Sequence, residues 1–250
     1  MNPQPSIHSS LPDDIALKIA SSLEVRGVCS LGSCSRFWRQ LCGSDCVWEP
    51  LCRDRWPGLA LDQQASSTSY GYPADLDRNL QGWRGFYIKK HNEMAEKAAG
   101  VVNFVERCLA FESIEVGHYL KAIKGLNTME FGFKDIQLFF LKPDLNVLLN
   151  LVGLHYCIAL LDTPAEYLME VLHSCNISDR QVHVQWWKLG RWFYGFRMRD
   201  ELHARNISLG DLVTCKDKEV LGVLRRGAVY EVLRIQISPA KSETQRQDSR

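Results

Sequence analysis

Apolar positions at helical spacing open the chain. Ile15, Ile19 and Leu23 recur at i, i+4 and i+8, with Leu17 and Ala20 beside them, which puts one apolar face on a helix. Ser10 is placed to cap that helix, Pro12 fits a first turn whose amides lack intrahelical partners, and Asp13 and Asp14 suit the positive end of the dipole. Gly27 and Gly32 interrupt the pattern, so short helices are predicted in place of one rod. Cys34, Phe37, Trp38 and Leu41 supply a second apolar face, and Trp48 with Leu51 a third. The expectation is a bundle of three short helices. Its core would be small, so it would gain stability from a partner.

Past Trp56-Pro57-Gly58 the pattern turns polar. The run Gln63-Gln64-Ala65-Ser66-Ser67-Thr68-Ser69, followed by Gly71 and Pro73, predicts a flexible linker over 62–79. Trp83, Phe86 and Tyr87 begin a new apolar group. Lys89 to Ala99 has helix-forming composition with a Glu93–Lys97 pair, and Val101, Val102, Val105, Cys108 and Leu109 keep the helical period, with Gly100 a point of bending or division. Trp83 is expected to anchor this helix to the N-terminal bundle. Ile114, Val116, Tyr119, Leu120 and Ile123 predict another helix ending near Gly125. Phe131 to Leu141 fits strand or helix equally.

Val147 to Leu161 is the most apolar run. It is short for a membrane span and carries Asn150, Gly153, His155 and Asp162. It is expected to be core, with a strand over Tyr156 to Leu161. Thr163-Pro164-Ala165-Glu166 marks a helix start. The period then becomes two. Val182, Val184 and Trp186 alternate with His183, Gln185 and Trp187; Leu189-Gly190 turns the chain; Trp192, Tyr194, Phe196 and Met198 alternate again. Val220 to Leu224 and Val229 to Ile237 are expected as two further strands around Arg226-Gly227. The fold class is α+β: an N-terminal three-helix bundle, then a mixed helical and antiparallel-sheet domain. The boundaries are a flexible 1–9, a bundle over 10–61, a linker over 62–79, an α+β domain over 80–238 and a flexible tail over 239–250.

The first of these segments resembles an F-box. The series is Leu11-Pro12-Asp13-Asp14-Ile15, then Ile19 and Leu23, then Leu31, Cys34, Arg36 and Trp38, then Leu41, Asp45, Trp48 and Leu51. It covers about a fifth of the chain. Gly27 stands where the family often has an acidic residue, and Cys34 where it often has Val, which bears on the second helix. The resemblance implies a non-catalytic subunit of a Skp–cullin–F-box ubiquitin ligase. It implies docking on a Skp-type adaptor, and through it on a cullin, with Leu11, Pro12, Ile15, Ile19, Leu23, Val28, Leu31, Trp48 and Leu51 as interface or interface-supporting residues. Trp38 is assigned to the core. The C-terminal domain would hold a protein target and raise its effective concentration near the charged conjugating enzyme. Leucine-rich, WD and kelch periods are not found after residue 60.

Composition changes this picture little. A formal net charge of +1 offers no global argument for nucleic acid or membrane. Met1 to Ser9 has neither a basic start nor an apolar run, so no signal peptide is expected. The nine cysteines form no C-x-x-C pair, and their odd number together with the lack of a secretion signal predicts reduced thiols in the nucleus or cytosol. No G-x-S-x-G, P-loop, G-x-G-x-x-G or H-E-x-x-H motif occurs, and no cofactor is expected. His155-x-Cys157 with His173-x-Cys175 is the nearest approach to a zinc set, and buried side chains are the expected reading.

The aromatic and basic stretch Trp186 to Arg197 is the remaining candidate. Period-two aromatics ordinarily line the inner face of a sheet, and that is the expectation. The alternative is an exposed protein-binding patch of Trp187, Arg191, Phe193, Arg197, Tyr230 and Arg234. A rival function is nucleic-acid binding through the same stretch, since aromatics beside Arg can stack bases. From Gln181 to Arg250 thirteen cations stand against eight carboxylates, a mild excess with no RNP-like motif.

Overall fold

In a computed structural model of the chain, the structure describes residues 11–60, 82–109, 112–214, 218–227 and 231–240. Ser10, the 62–79 linker, Cys215, Tyr230 and the segment from 241 onward lie outside the described residues. The chain divides into two compact units, Met1–Glu93 and Met94–Arg250. The division falls inside one long helix.

The first unit contains α1 (Asp13–Ser21), α2 (Val25–Cys34), α3 (Arg36–Leu41) and α4 (Asp45–Arg55), a 3₁₀ turn at Pro57–Ala60, and the start of α5 (Gly82–Cys108). Four short helices stand where three were expected. The extra break is at Ser35, whose backbone is extended and whose hydroxyl accepts from the Trp38 N–H at 3.3 Å, capping α3. Gly27 does not interrupt α2. The residue at the N-cap position of α1 is Pro12, without a side-chain cap. Ala16, Ala20, Val28, Trp38, Val47, Trp48 and Cys52 form the core, joined by Trp56, Trp83 and Tyr87. Trp83 thus packs with the bundle. The Trp83 N–H donates to Asp45 Oδ1 at 2.8 Å. Gly82 allows this with φ at +74°, where a Cβ would stand 2.3 Å from that oxygen. α5 runs through Gly100 without a break.

The second unit contains the rest of α5, β1 (Ile114–Glu115), α6 (Val116–Thr128), α7 (Phe133–Phe139), α8 (Val147–Ala159) and α9 (Ala165–Ser174). It continues with β2 (Gln181–Lys188), β3 (Trp192–Phe193), β4 (Phe196–Arg197), β5 (Glu201–Ser208), α10 (Leu209–Val213), α11 (Lys218–Arg226) and β6 (Val232–Pro239). Four strands form an antiparallel sheet in the order β1-β6-β2-β5, and β3 and β4 form a separate hairpin. Val182, Val184, Trp186, Ile235 and Ile237 are buried with α8, which is buried at every position from Val147 to Cys157. The fold is therefore a helical bundle followed by a mixed helical and antiparallel-sheet unit.

Several expectations are corrected. Tyr156 to Leu161 is not a strand; it falls on the end of α8 and the turn after it. An all-apolar run carries no period to separate strand from helix, and here the Asn146 side chain accepts from the Leu148 N–H at 2.9 Å to start a helix. Val220 to Leu224 lies in α11, not in a strand. Pro164, not Thr163, holds the N-cap position of α9. α6 passes Gly125 and ends at Thr128, and Ile114 belongs to β1. Ser238 and Pro239 close β6, so an ordered strand occupies the start of the expected tail.

His155 and Cys157 lie on α8, and His173 lies on α9 with Cys175 at its C-cap. On a helix, i and i+2 diverge. Among the described residues no group of three or more His, Cys, Asp or Glu is placed to hold a metal. His155 stacks on Tyr119 with ring centres 5.6 Å apart and shares a 2.7 Å hydrogen bond with its hydroxyl. Burial, aided by the charge of Arg225, pushes its imidazole from 6.5 down to about 4. Between those values the unfolded chain binds a proton that the folded chain refuses, so stability falls as pH drops through that window. The gap corresponds to at most ~3 kcal/mol. His155→Gln is expected to flatten the stability loss between about pH 7 and about pH 5; urea unfolding at both pH values checks it, and an unchanged slope would show that His155 is not the titrating group.

Candidate functional site

Two surfaces stand out among the described residues. The first is on α1. Ala16 and Ala20 face inward with no exposure, which leaves Ile15 and Ile19 on the opposite side, 50% and 41% exposed. A pair of β-branched apolar residues one turn apart on a solvent face lacks the burial that would stabilise it within the bundle. Pro12 is exposed, and Leu11, Leu23, Leu31 and Leu51 are half-buried against the bundle core. Val28 and Trp48 stand on the supporting side of that assignment: they are 1% and 3% exposed, and the Trp48 indole donates to Cys42 O at 2.7 Å. Their contribution is to hold the helices in place. Trp38 is likewise buried. Arg55 is buried beneath the bundle, donating to the Tyr87 hydroxyl at 2.6 Å and lying over the Trp56 ring at 4.7 Å. Burial pushes the Cys52 thiol up to about 12 and raises that of Cys42, so both behave as small apolar groups. Cys29, Cys34 and Cys46 are exposed free thiols.

The second surface is in the other unit, on the β3–β4 hairpin and the strands next to it. The expectation of an inner face for Trp192, Tyr194, Phe196 and Met198 is overturned. They are 72%, 88%, 76% and 59% exposed, and Phe193 is 64% exposed. The cause is local. A Cβ on Gly190 would stand 2.0 Å from Met198 O, so the two chain segments cross in close contact there. Tyr194 and Gly195 both have positive φ, 48° and 83°, which turns the chain in the manner of a I′ hairpin after strands of only two residues. Such a short ribbon reaches no layer that could cover it. The base is pinned by Gly190 N–H donating to Asp200 Oδ1 at 2.9 Å and by Arg197 pairing with the same oxygen at 3.0 Å. These bonds, the backbone one foremost, hold the Asp200 carboxyl below its usual range.

Five of the six sequence candidates fall in two groups. Arg191, Phe193 and Arg197 belong to the hairpin. Trp187 and Arg234 are register partners on the outer face of the sheet, with the guanidinium 5.5 Å from the ring and paired to Glu115. Tyr230 lies outside the described residues. Trp192, Tyr194, Phe196 and Met198 were missed as surface residues; the signal that finds them is Gly190 together with Tyr194-Gly195, which shorten the strands. A groove of about 580 Å³ beside β1 is lined by Phe104, Arg107, His118, Glu115 and Arg234 among others. Glu115 there already accepts from Arg234 and from Gln236 at 3.1 Å, so it is not poised as a free base. No helix among the described residues is long and apolar enough to cross a membrane.

Residues 8–54 match the F-box-like family model. With the helices described above, this makes the N-terminal bundle an F-box-like domain. The chain is also similar to proteins named "Probable E3 ubiquitin ligase complex SCF subunit sconB" from Arthroderma otae and Arthroderma benhamiae. Each is 33% identical over 70 residues, which is 28% of this chain and 10% of the relative. A protein of the same name from Trichophyton verrucosum matches to the same extent. The matched stretch thus spans about a tenth of these curated relatives. No solved structure matches the chain.

Proposed function

We propose that this protein is a substrate-recruiting F-box subunit of a Skp–cullin–F-box ubiquitin ligase, acting by proximity and carrying no catalytic centre of its own. The observation that carries the reading is the coincidence of the F-box-like match with an uncovered apolar face: Ile15 and Ile19 stand half exposed on α1 within residues 8–54. In this reading Leu11, Pro12, Ile15 and Ile19 contact a Skp-type adaptor, Leu23, Leu31 and Leu51 border that contact, and Val28 and Trp48 support it from the core. A cullin is reached through the adaptor. The second unit holds the protein target, with the exposed hairpin residues Arg191, Phe193 and Arg197 and the Trp187–Arg234 pair as its contact surface; Tyr230 stands with them on sequence grounds. A hairpin with five large apolar side chains uncovered is the kind of patch that marks an interaction site. The nucleus or cytosol, where Skp-type adaptors and cullins would be met, is the proposed location.

Affinity purification of the full chain from its native cell tests the reading. A Skp-type adaptor and a cullin are expected among the recovered proteins. The variant Leu11→Ala with Pro12→Ala is expected to weaken adaptor capture in a pull-down, and unchanged capture would remove these two residues from the contact. Recovery of neither adaptor nor cullin would overturn the assignment.

A further inference from the structure

Among the described residues the β2–β5 ladder leaves one edge of the sheet uncovered. The ladder pairs Gln181 with Ser208 through Lys188 with Glu201, and the Leu209 N–H donates to Arg180 O at 3.0 Å. That bond sets the phase of an antiparallel pair: Glu201, His203, Arg205 and Ile207 turn their backbone groups toward β2. The Ala240 N–H, which donates to Gln181 O from the β6 side at 3.2 Å, gives the same phase independently. Leu202, Ala204 and Asn206 therefore turn N–H and C=O away from the sheet. The strand order ends at β5, and among the described residues no other segment bonds to that edge. β5 contains no proline and its pairing no bulge, so two of the usual protections of an edge are missing.

Around the edge the cations left without a carboxylate partner outnumber the carboxylates left without a cation. From Lys188 to Arg205 there are five cations and two carboxylates. Lys188 is paired with Glu219, Arg191 with Glu231 and Arg197 with Asp200, and Glu201 lies 3.4 Å from His203. Arg199 and Arg205 are exposed and carry no ion pair among the described residues. On the outer face the row Arg234–Trp187–Leu202 ends at the edge in Leu202, 57% exposed.

We propose that β5 is a strand-addition site for an extended, acidic segment of a partner protein. Main-chain bonds to Leu202, Ala204 and Asn206 supply the affinity. Alternate apolar residues of the added strand continue the Trp187–Leu202 row, and its carboxylates meet Arg199 and Arg205. The partner rests on the reading of the second unit as target-binding. The geometry favours peptide over nucleic acid. The hairpin rings of Phe193 and Tyr194 meet edge to face at 82° and so make no flat stacking platform, and a row of alternating backbone donors and acceptors complements another strand.

The test is fluorescence anisotropy on the full chain. The probes are a fluorescein-labelled peptide alternating Val with Glu, the same peptide with Lys for Glu, and a labelled single strand of oligothymidine. The acidic peptide is expected to bind at least about tenfold tighter than the Lys peptide. Ala204→Pro removes one outward N–H without touching the β2 ladder and should weaken binding by about tenfold or more. Arg199→Glu with Arg205→Glu should do the same from exposed positions, which decides the matter if the proline variant fails to fold. Amide exchange at Leu202, Ala204 and Asn206 should slow with the acidic peptide present. Absence of peptide binding, undiminished binding to the folded Ala204→Pro variant, or binding of oligothymidine alone would each overturn the proposal. Adaptor capture is unaffected by these changes, so failure of the native chain to capture the adaptor would count against the ligase reading separately.

Discussion

Ile15→Asp combined with Ile19→Asp is expected to abolish capture of a Skp-type adaptor while leaving the N-terminal bundle folded. The folded state gives each side chain little to lose, because Ile15 and Ile19 are half exposed and the inward side of α1 is made by Ala16 and Ala20. Asp at position 15 falls near the first turn, where Asp13 and Asp14 already suit the helix dipole. Asp at position 19 lies near the last turn and costs a few tenths of a kcal/mol. The complex loses far more. Two apolar anchors go, at roughly 1–2 kcal/mol each, and a desolvated carboxylate takes the place of each. Capture should fall by more than about a hundredfold. Pull-down with a purified adaptor measures this, and far-UV circular dichroism confirms the helices. Trp48→Ala is the contrasting control. It empties a core position and removes the bond to Cys42 O, at about 3–5 kcal/mol, so helicity and capture should be lost together. A double variant that retains full capture would exclude this face of α1 as the docking surface.

Asn150→Leu is expected to destabilise the second unit by about 3–5 kcal/mol. Asn150 is fully buried on α8. Its Nδ2 donates to Phe140 O at 2.7 Å and to Lys142 O at 2.9 Å, and its Oδ1 accepts from Arg180 Nη1 at 2.5 Å. The same guanidinium nitrogen donates to Leu145 O at 2.8 Å. One amide therefore ties the end of α7, the loop leading into α8 and the approach to β2. Leu keeps the volume but takes the amide away from two carbonyls and from Arg180, which retains Leu145 O, at about 1–3 kcal/mol per buried polar group left unpaired. Urea denaturation of wild type and variant gives the difference in midpoint. A loss below about 1 kcal/mol would show that water replaces the amide.

The helical bundle and the exposed apolar pair on α1 were legible in the sequence because both rest on local information. Ile15 and Ile19 are one turn apart wherever the helix forms, and the ordered series from Leu11 to Leu51 carries the F-box likeness without any need of tertiary structure. The alternation of Val182, Val184 and Trp186 likewise announced a strand buried on one side, since that period belongs to the pleat. Which residues of that series are exposed and which are buried was less visible. Nothing in the spacing of Val28 and Trp48 separates a residue that touches a partner from one that holds the helices from below.

Long-range packing decided the rest. The run from Val147 has no period, and it became α8 because Asn146 caps it and the sheet and helices around it bury every side, Asn150 included. Val220 and Leu224 fit a strand by composition and a helix by spacing, and the helix is what forms. The aromatics from Trp192 to Met198 alternate as buried residues do, yet among the described residues nothing covers them, because Gly190 and the turn at Tyr194-Gly195 cut the strands to two residues. The F-box-like series could be read from the residues alone, because helical periodicity rests on contacts within a turn or two, although the break at Ser35 could not. Which apolar faces and which sheet edge are left open among the described residues came from long-range packing, since exposure depends on what distant parts of the chain bring alongside.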